Sequence, residues 1–213
     1  IDGVHRYNDI QEKKEEFKKI AIKIRARINE IKAVELNFSC PNVKEGGMAF
    51  CAMPDEMGPI ISEVKEITGA TLFAKLSPNF NTIIKSAIIS KENGADAVSI
   101  INTFTGTAFD IETFKPRLAN IIGGLSGPAI KPLALFHIYQ LARENIIPII
   151  GMGGISNWQD AIEFFIAGAD AVGVGTANFT DPDICEKIIS GIGQYIARMG
   201  FSSITELSGK AFK

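Results

Sequence analysis

From Val34 to Ser39 the chain alternates without a break: Val34, Leu36 and Phe38 fall on one face, Glu35, Asn37 and Ser39 on the other. That period of two predicts a strand over 34–39. Its second face is polar, and an unpaired buried amide or hydroxyl costs about 1–3 kcal/mol, so each of these groups needs a partner. The strand runs straight into a long loop that opens with Cys40, Pro41 and Asn42 and contains Gly46-Gly47. Before it, Ile10, Phe17, Ile20, Ile24, Ile28 and Ile31 recur at helical spacing, with Asn8 or Asp9 as cap and a solvated Lys/Glu face. Ile1-Asp2-Gly3 reads as the tail of an earlier strand.

After the loop, Pro54-Asp55 predicts a helix start, with Met57, Ile60, Ile61, Val64 and Ile67 on one face and Gly69 as the stop. Strands follow at 72–77, 97–102, 147–153 and in the run that ends at Val174. Helices are predicted from Asn79 to Glu92, from Pro132 to Glu144, after a Ser156 cap, and from Asp181-Pro182. A short helix follows Ser202. The connection over 103–130, with Gly123-Gly124 and Ser126-Gly127-Pro128, is long enough to be functional.

Strict alternation of strand and helix implies parallel strands with helical crossovers. The phrase Gly-Ala-Asp-Ala-Val occurs twice, at 94–98 and at 168–172, each time where a helix hands over to a strand. The chain is therefore built from repeated βα units. A doubly wound sheet and a (β/α)8 TIM barrel both fit this pattern. The barrel is favoured because polar residues and glycines gather at the C-terminal end of every strand, the active face of that fold.

Composition narrows the function. A net charge of −2 over 213 residues gives no basic footprint for nucleic acid. No apolar run reaches the roughly 18 residues of a membrane span, and no secretory leader is expected. Cys40, Cys51 and Cys185 have neither metal-ligand spacing nor an even count, so no metal site is expected and a reduced cytoplasm is the expected setting.

Several strand-end residues are candidates for chemistry. Gly153-Gly154 and Gly175-Thr176 end consecutive strands and could bring backbone N–H groups to a phosphate, or serve only as turns. Lys75 lies within an apolar strand and needs an anion, either Glu35 on the neighbouring strand or an electron-rich ligand. Cys40 is a candidate nucleophile or base, or a small buried apolar residue. Cys51 and Cys185 fit the buried role better, Cys185 on the apolar side of its helix. Asn37, Asn42 and Asn102 suit a planar ligand rich in heteroatoms. Neither His5 nor His137 lies near a strand end. Met48, Met53 and Met57 read as packing residues.

Six segments carry a resemblance: Asn37-Phe-Ser-Cys-Pro-Asn-Val-Lys-Glu-Gly-Gly-Met-Ala-Phe50, Lys75-Leu-Ser-Pro-Asn79, Ser99-Ile-Ile-Asn-Thr103, Gly123-Gly-Leu-Ser-Gly-Pro-Ala-Ile-Lys-Pro132, Ile149-Ile-Gly-Met-Gly-Gly-Ile155 and Val174-Gly-Thr-Ala-Asn-Phe179. From about residue 34 onward the chain resembles class 1 dihydroorotate dehydrogenase, most of all the class 1B catalytic subunit. The resemblance implies a single FMN-binding TIM-barrel domain over 1–213. The implied reaction is oxidation of dihydroorotate to orotate in de novo pyrimidine biosynthesis. Cys40 matches the catalytic base, and Asn37, Asn42, Asn102 and Thr103 match the positions that hold the pyrimidine. Asn37, Lys75, Ile101 and Gly127 match flavin contacts, and Gly153, Gly154, Gly175 and Thr176 match the phosphate grip. The loop bearing Cys40 would close over substrate. The implied partner is an iron–sulfur and FAD subunit that passes electrons to NAD, in a homodimer or heterotetramer.

The chain also departs from that family. A (β/α)8 barrel typically takes about 250 residues, and five strands are predicted, so a partial barrel lacking its first three strands is expected. Two alternatives stand beside the leading one. The first is a related FMN pyrimidine reductase of the dihydropyrimidine dehydrogenase kind. The second is a truncated barrel with no activity of its own. A fumarate-using class 1A enzyme is the variant on electron acceptor.

Overall fold

The structure of the chain, a computed structural model, describes residues 2–39, 50 and 52–213. The chain divides into two compact units, Ile1–Ser99 with Asn145–Pro148, and Ile100–Glu144 with Ile149–Lys213.

In the first unit three strands run parallel: β1 (Ala33–Asn37), β2 (Thr71–Lys75) and β3 (Ala97–Ile100), which enters the second unit at its last residue. Asn37 is in register with Lys75, and Lys75 with Ser99, so the three form one row across the strands. The helices are α1 (Asp2–Arg25), α2 (Met57–Thr68) and α3 (Ile83–Glu92). The predicted alternation holds over 35–38, where Leu36 and Phe38 are buried and Glu35 and Asn37 are exposed, but Ser39, expected on the polar face, is buried. Phe38, Phe50 and Phe17 of α1 form an aromatic cluster with ring centroids 5.6–6.3 Å apart. The apolar face of α2 is buried as its spacing predicts, through Met57, Ile60, Ile61 and Val64. Gly69 stops α2 in the left-handed conformation (φ 63°), its N–H donating to Lys65 O at 2.8 Å.

Four expectations for this unit are corrected. Asp2 and Gly3 belong to α1 rather than to a strand, and Asn8 and Asp9 lie inside that helix rather than capping it. A helix satisfies its backbone within itself, whereas a strand needs a neighbour. α3 starts at Ile83, because Asn79 turns back and gives hydrogen bonds from N and Nδ2 to Ser77 Oγ. β1 and β2 end two residues earlier than predicted, although Phe38 N–H to Lys75 O and Leu76 N–H to Ser99 O extend the pairing by one bond each.

In the second unit β6 (Ile149–Met152) and β7 (Ala171–Gly173) run parallel, with helices α4 (Lys131–Glu144), α5 (Trp158–Ala167), α6 (Ala177–Thr180) and α7 (Ile184–Met199). The five predicted strands are thus all present, three in one unit and two in the other. Ile162, Phe165 and Leu207 pack with Trp158 and Ile166 beneath the short turn Ile204–Glu206.

The long connection is the main correction. It contains an antiparallel hairpin, β4 (Phe104–Thr107) with β5 (Ile122–Leu125). Two glycines in β5 weaken any strand signal there, yet Gly124 is what lets the pairing close, since a Cβ would fall 2.3 Å from Thr103 Oγ1. α5 is capped by Asn157, which accepts from Asp160 N–H, and not by Ser156. Cys185 is exposed rather than on the apolar side: the buried stripe of α7 is Ile184, Ile188 and Gly191, one residue round the helix.

The repeat acquires a physical role. Gly94 (φ 96°) and Gly168 (φ 113°) both take the left-handed conformation. In each copy the aspartate then pins the first residues of the preceding strand. Asp96 exchanges bonds with Leu72, N–H to O at 2.8 Å and Oδ2 from N–H at 2.7 Å. Asp170 does the same with Ile149, both at 2.9 Å. Strand starts otherwise carry unpaired N–H groups, and a carboxylate acceptor gives the stronger, charge-assisted bond.

Candidate functional site

The strand tips of the first unit carry charge and amides. Glu35 lies between two partners: its Oε1 is 3.5 Å from Lys75 Nζ, and its Oε2 accepts from Ser99 Oγ at 2.6 Å. Ser99 is fully buried, Lys75 is 23% exposed in its side chain and Glu35 36%. The ion pair open in the sequence is therefore formed, and Lys75 keeps part of its surface accessible beside Asn37 in the same row. Asn37 fixes its own loop, with Oδ1 accepting from Ser39 N–H at 3.1 Å and Ser39 Oγ at 2.9 Å. Short polar side chains favour this local turn, and it orients the amide. Cys40 and Asn42 lie outside the described residues, as do Cys51 and Met48.

The strand tips of the second unit carry backbone and hydroxyls. β6 is followed directly by Gly153 (φ 127°) and Gly154 (φ 80°). A Cβ at Gly154 would stand 2.8 Å from both Gly127 O and Lys131 N, and one at Gly153 would stand 2.9 Å from Ala134 Cβ. Only glycine fits this double turn. Gly127 (φ 88°) and Gly175 have open space where a Cβ would be, so the backbone is approachable there. Thr176 Oγ1 donates to Ser126 Oγ at 2.8 Å, which joins the end of β7 to the end of the hairpin. Asn178 Nδ2 donates to Val174 O and Gly175 O, holding that turn shut. Ile101 is buried, its N–H bonded to Met152 O, and the Ile100–Ile101 peptide is cis. Asn102 Oδ1 accepts from Thr103 N–H at 2.7 Å, and Thr103 lies against Gly124 of the hairpin.

Of the expected residues, the structure therefore brings Ile101, Asn102, Thr103, Gly127, Gly153, Gly154, Gly175 and Thr176 into one unit, and Asn37 and Lys75 into the other. Sequence reasoning gave no role to Ser126, Asn178 or Asp160. The dense Gly-Pro signal beside Ser126 could have found it; nothing in the pattern marks Asp160. His137 sits half-buried on α4 beside Phe104 and Phe136, and burial pushes its pKa down. Among the described residues no cluster of three His, Cys, Asp or Glu could hold a metal ion. A surface depression of about 460 Å³ over α5 and α7, lined by Trp158, Lys187 and Gln194, contains none of the strand-tip residues.

A sequence model of the dihydroorotate dehydrogenase family matches residues 5–196. The chain belongs to the dihydroorotate dehydrogenase family. Its relatives include the catalytic subunit of dihydroorotate dehydrogenase B (NAD(+)) of Bacteroides fragilis, 48% identical over 182 residues, covering 85% of this chain and 60% of the relative. The subunit of the same name from Parabacteroides distasonis is 49% identical over 184 residues, 86% of this chain and 60% of the relative. That of Anoxybacillus flavithermus is 46% identical over 198 residues, 93% and 63%. The chain thus spans about three fifths of the length of these family members. The crystal structure of DHODH from Eimeria tenella in complex with ferulenol superposes with a TM-score of 0.74 at 20% identity, over 90% of this chain and 57% of that one. That likeness, with the parallel strands and helical crossovers, gives a TIM-barrel-like α/β fold.

Proposed function

We propose that this chain carries the flavin-dependent oxidation of dihydroorotate to orotate in de novo pyrimidine biosynthesis. The observation that carries this is close identity with dihydroorotate dehydrogenase B catalytic subunits along 85% of the chain. Family membership implies a flavin, and FMN is the form proposed here. Support comes from the double glycine turn at 153–154, where a side chain would collide with the Ala134 methyl at Gly153 and with backbone at Gly154, and from open backbone at Gly127 and Gly175. Such turns suit a phosphate, because N–H groups can approach it without obstruction. Residues 1–213 then form one FMN-binding domain, part of a barrel, acting in the cytoplasm. Among the described residues no helix is long and apolar enough to cross a membrane.

Bound FMN would supply the two-electron acceptor for the hydride leaving carbon 6 of dihydroorotate. The chain's own residues do the rest. Cys40 takes the proton from carbon 5 as its thiolate; a thiol pKa tuned toward the working pH makes it a useful base. Asn37, Asn42, Asn102 and Thr103 orient the pyrimidine through amide and hydroxyl bonds. Lys75 would bring its positive charge to the flavin ring, with Glu35 holding the ammonium in place. Ile101 and Gly127 would line the ring, and Gly153, Gly154, Gly175 and Thr176 would hold the phosphate. An iron–sulfur and FAD subunit would pass the electrons to NAD, in a homodimer or heterotetramer; the relatives' printed name, with its NAD(+) and catalytic subunit, supports the acceptor and a separate subunit.

The test is anaerobic reduction of bound flavin by dihydroorotate, followed by loss of its yellow colour. Cys40→Ser should slow reduction about 100-fold or more while flavin stays bound. Undiminished reduction in that variant removes Cys40 as the base, and equal reduction by dihydrouracil removes dihydroorotate as the substrate.

A further inference from the structure

Asp160 is a buried charge whose partners tie the glycine turn to the helices around it. Its side chain is 9% exposed. Oδ2 accepts from Ser156 N–H at 2.9 Å and Ser156 Oγ at 2.8 Å, and Oδ1 accepts from Lys131 Nζ at 2.7 Å. Lys131 Nζ also meets Glu163 Oε1 at 2.9 Å. Ser156 lies two residues after the Gly153-Gly154 turn. Lys131 is the first residue of α4, and its backbone nitrogen closes on Gly154 so tightly that a Cβ there would stand 2.8 Å away. The turn is thus held on one side by the start of α4 and on the other by Ser156, and one carboxylate joins the two.

Such a brace answers a definite need. Two successive glycines in the left-handed region have no side chains to lock them and lose much conformational freedom on ordering. N–H donors hold an anion well only when they are fixed before it arrives. The lysine itself is committed to two carboxylates, so its charge goes to holding the turn rather than to the anion.

We infer that the Asp160–Lys131 pair is a positioning device that fixes the Gly153-Gly154 turn, so that its backbone N–H groups receive the phosphate of a flavin nucleotide. This rests on the phosphate role proposed above for that turn. Neither side chain touches the nucleotide; both act through the backbone of the turn and of α4.

Equilibrium fluorescence titration of the 213-residue chain with FMN and with riboflavin, which lacks the phosphate, separates the two claims. The wild-type chain should prefer FMN. Asp160→Asn, Lys131→Met and Ser156→Ala should each weaken FMN about 10-fold or more while leaving riboflavin within about 2-fold. Lys85→Met, at the exposed pair with Asp55, should change neither. If Asp160→Asn fails to fold, Lys131→Met and Ser156→Ala carry the test. Retention of the full FMN preference in those two variants overturns the brace while the phosphate role stands. Absence of any preference in the wild-type chain overturns the phosphate role, and the brace with it.

Discussion

The strand tips of the two units present different parts of the chain. In the first unit they present side chains, Glu35, Asn37, Lys75 and Ser99, laid out on three parallel strands. In the second they present glycine backbone, open at Gly127 and Gly175 and tightly packed at Gly153 and Gly154, beside the paired hydroxyls of Ser126 and Thr176. A planar ring with a polar edge needs a few fixed charges and amides. A phosphate needs many N–H donors at close range, and side chains would only obstruct them. The consequence is a difference in tolerance: side chains at the tip of a sheet can be changed without refolding it, whereas the Gly153-Gly154 turn admits no side chain unless its neighbours move.

The sharpest way to break that contrast is Gly154→Val. It combines a disfavoured φ of 80° with backbone atoms 2.8 Å from the new Cβ, so destabilisation of roughly 2–5 kcal/mol is expected by urea unfolding. Gly175→Ala, with nothing within 4 Å, should cost less than about 0.5 kcal/mol. Equal losses in the two variants would mean that the turn is not specially confined.

Lys75→Met sharpens the other side. The pair with Glu35 is partly exposed and 3.5 Å long, so stability should change by no more than about 1 kcal/mol. Flavin reduction by dihydroorotate, followed in stopped flow, should nonetheless slow about 100-fold, because the charge proposed to act on the ring is lost. A variant that unfolds but reacts normally when folded would make Lys75 structural only.

The smallest effect is on pH. Burial is the largest single influence on Asp160 and on Asp96, and it favours the protonated form. Hydrogen bonds outweigh it: from Lys131 and Ser156 to Asp160, and from Lys65 and the Leu72 N–H to Asp96. Both carboxyls therefore lie below their ordinary value. Unfolded aspartate titrates near about 3.9, so the stability these groups contribute is present above that pH and is lost as pH falls through the lower folded value. Asp96→Asn should flatten the acid limb of the chain's urea-midpoint profile. An unchanged limb would show that the strand-start clamp is not ionic.

Legibility in the sequence followed the same division. The glycines at 153, 154 and 175 were visible as strand-end turns, with a phosphate role left open beside a plain turn, and the row of polar residues in β1 followed from period two alone. The repeated Gly-Ala-Asp-Ala-Val was visible as a helix-to-strand handover, but the purpose of its aspartate was not, because Leu72 and Ile149 lie 24 and 21 residues upstream. The β4–β5 hairpin was missed for a related reason. Its pairing depends on Gly124 making room for Thr103, a contact that no local propensity encodes.

Local chemistry thus determined the alternation of strand and helix, the polar face of β1, the left-handed stops at Gly69, Gly94 and Gly168, and the family. These depend on residue type and on neighbours a few positions away, which the sequence states directly. Tertiary structure alone decided that Glu35 bridges Lys75 and Ser99, that Asp160 joins Ser156 to Lys131, and that Cys185 faces outward. Each of those depends on which elements the fold places side by side, and on the few ångströms over which a hydrogen bond or an ion pair can act.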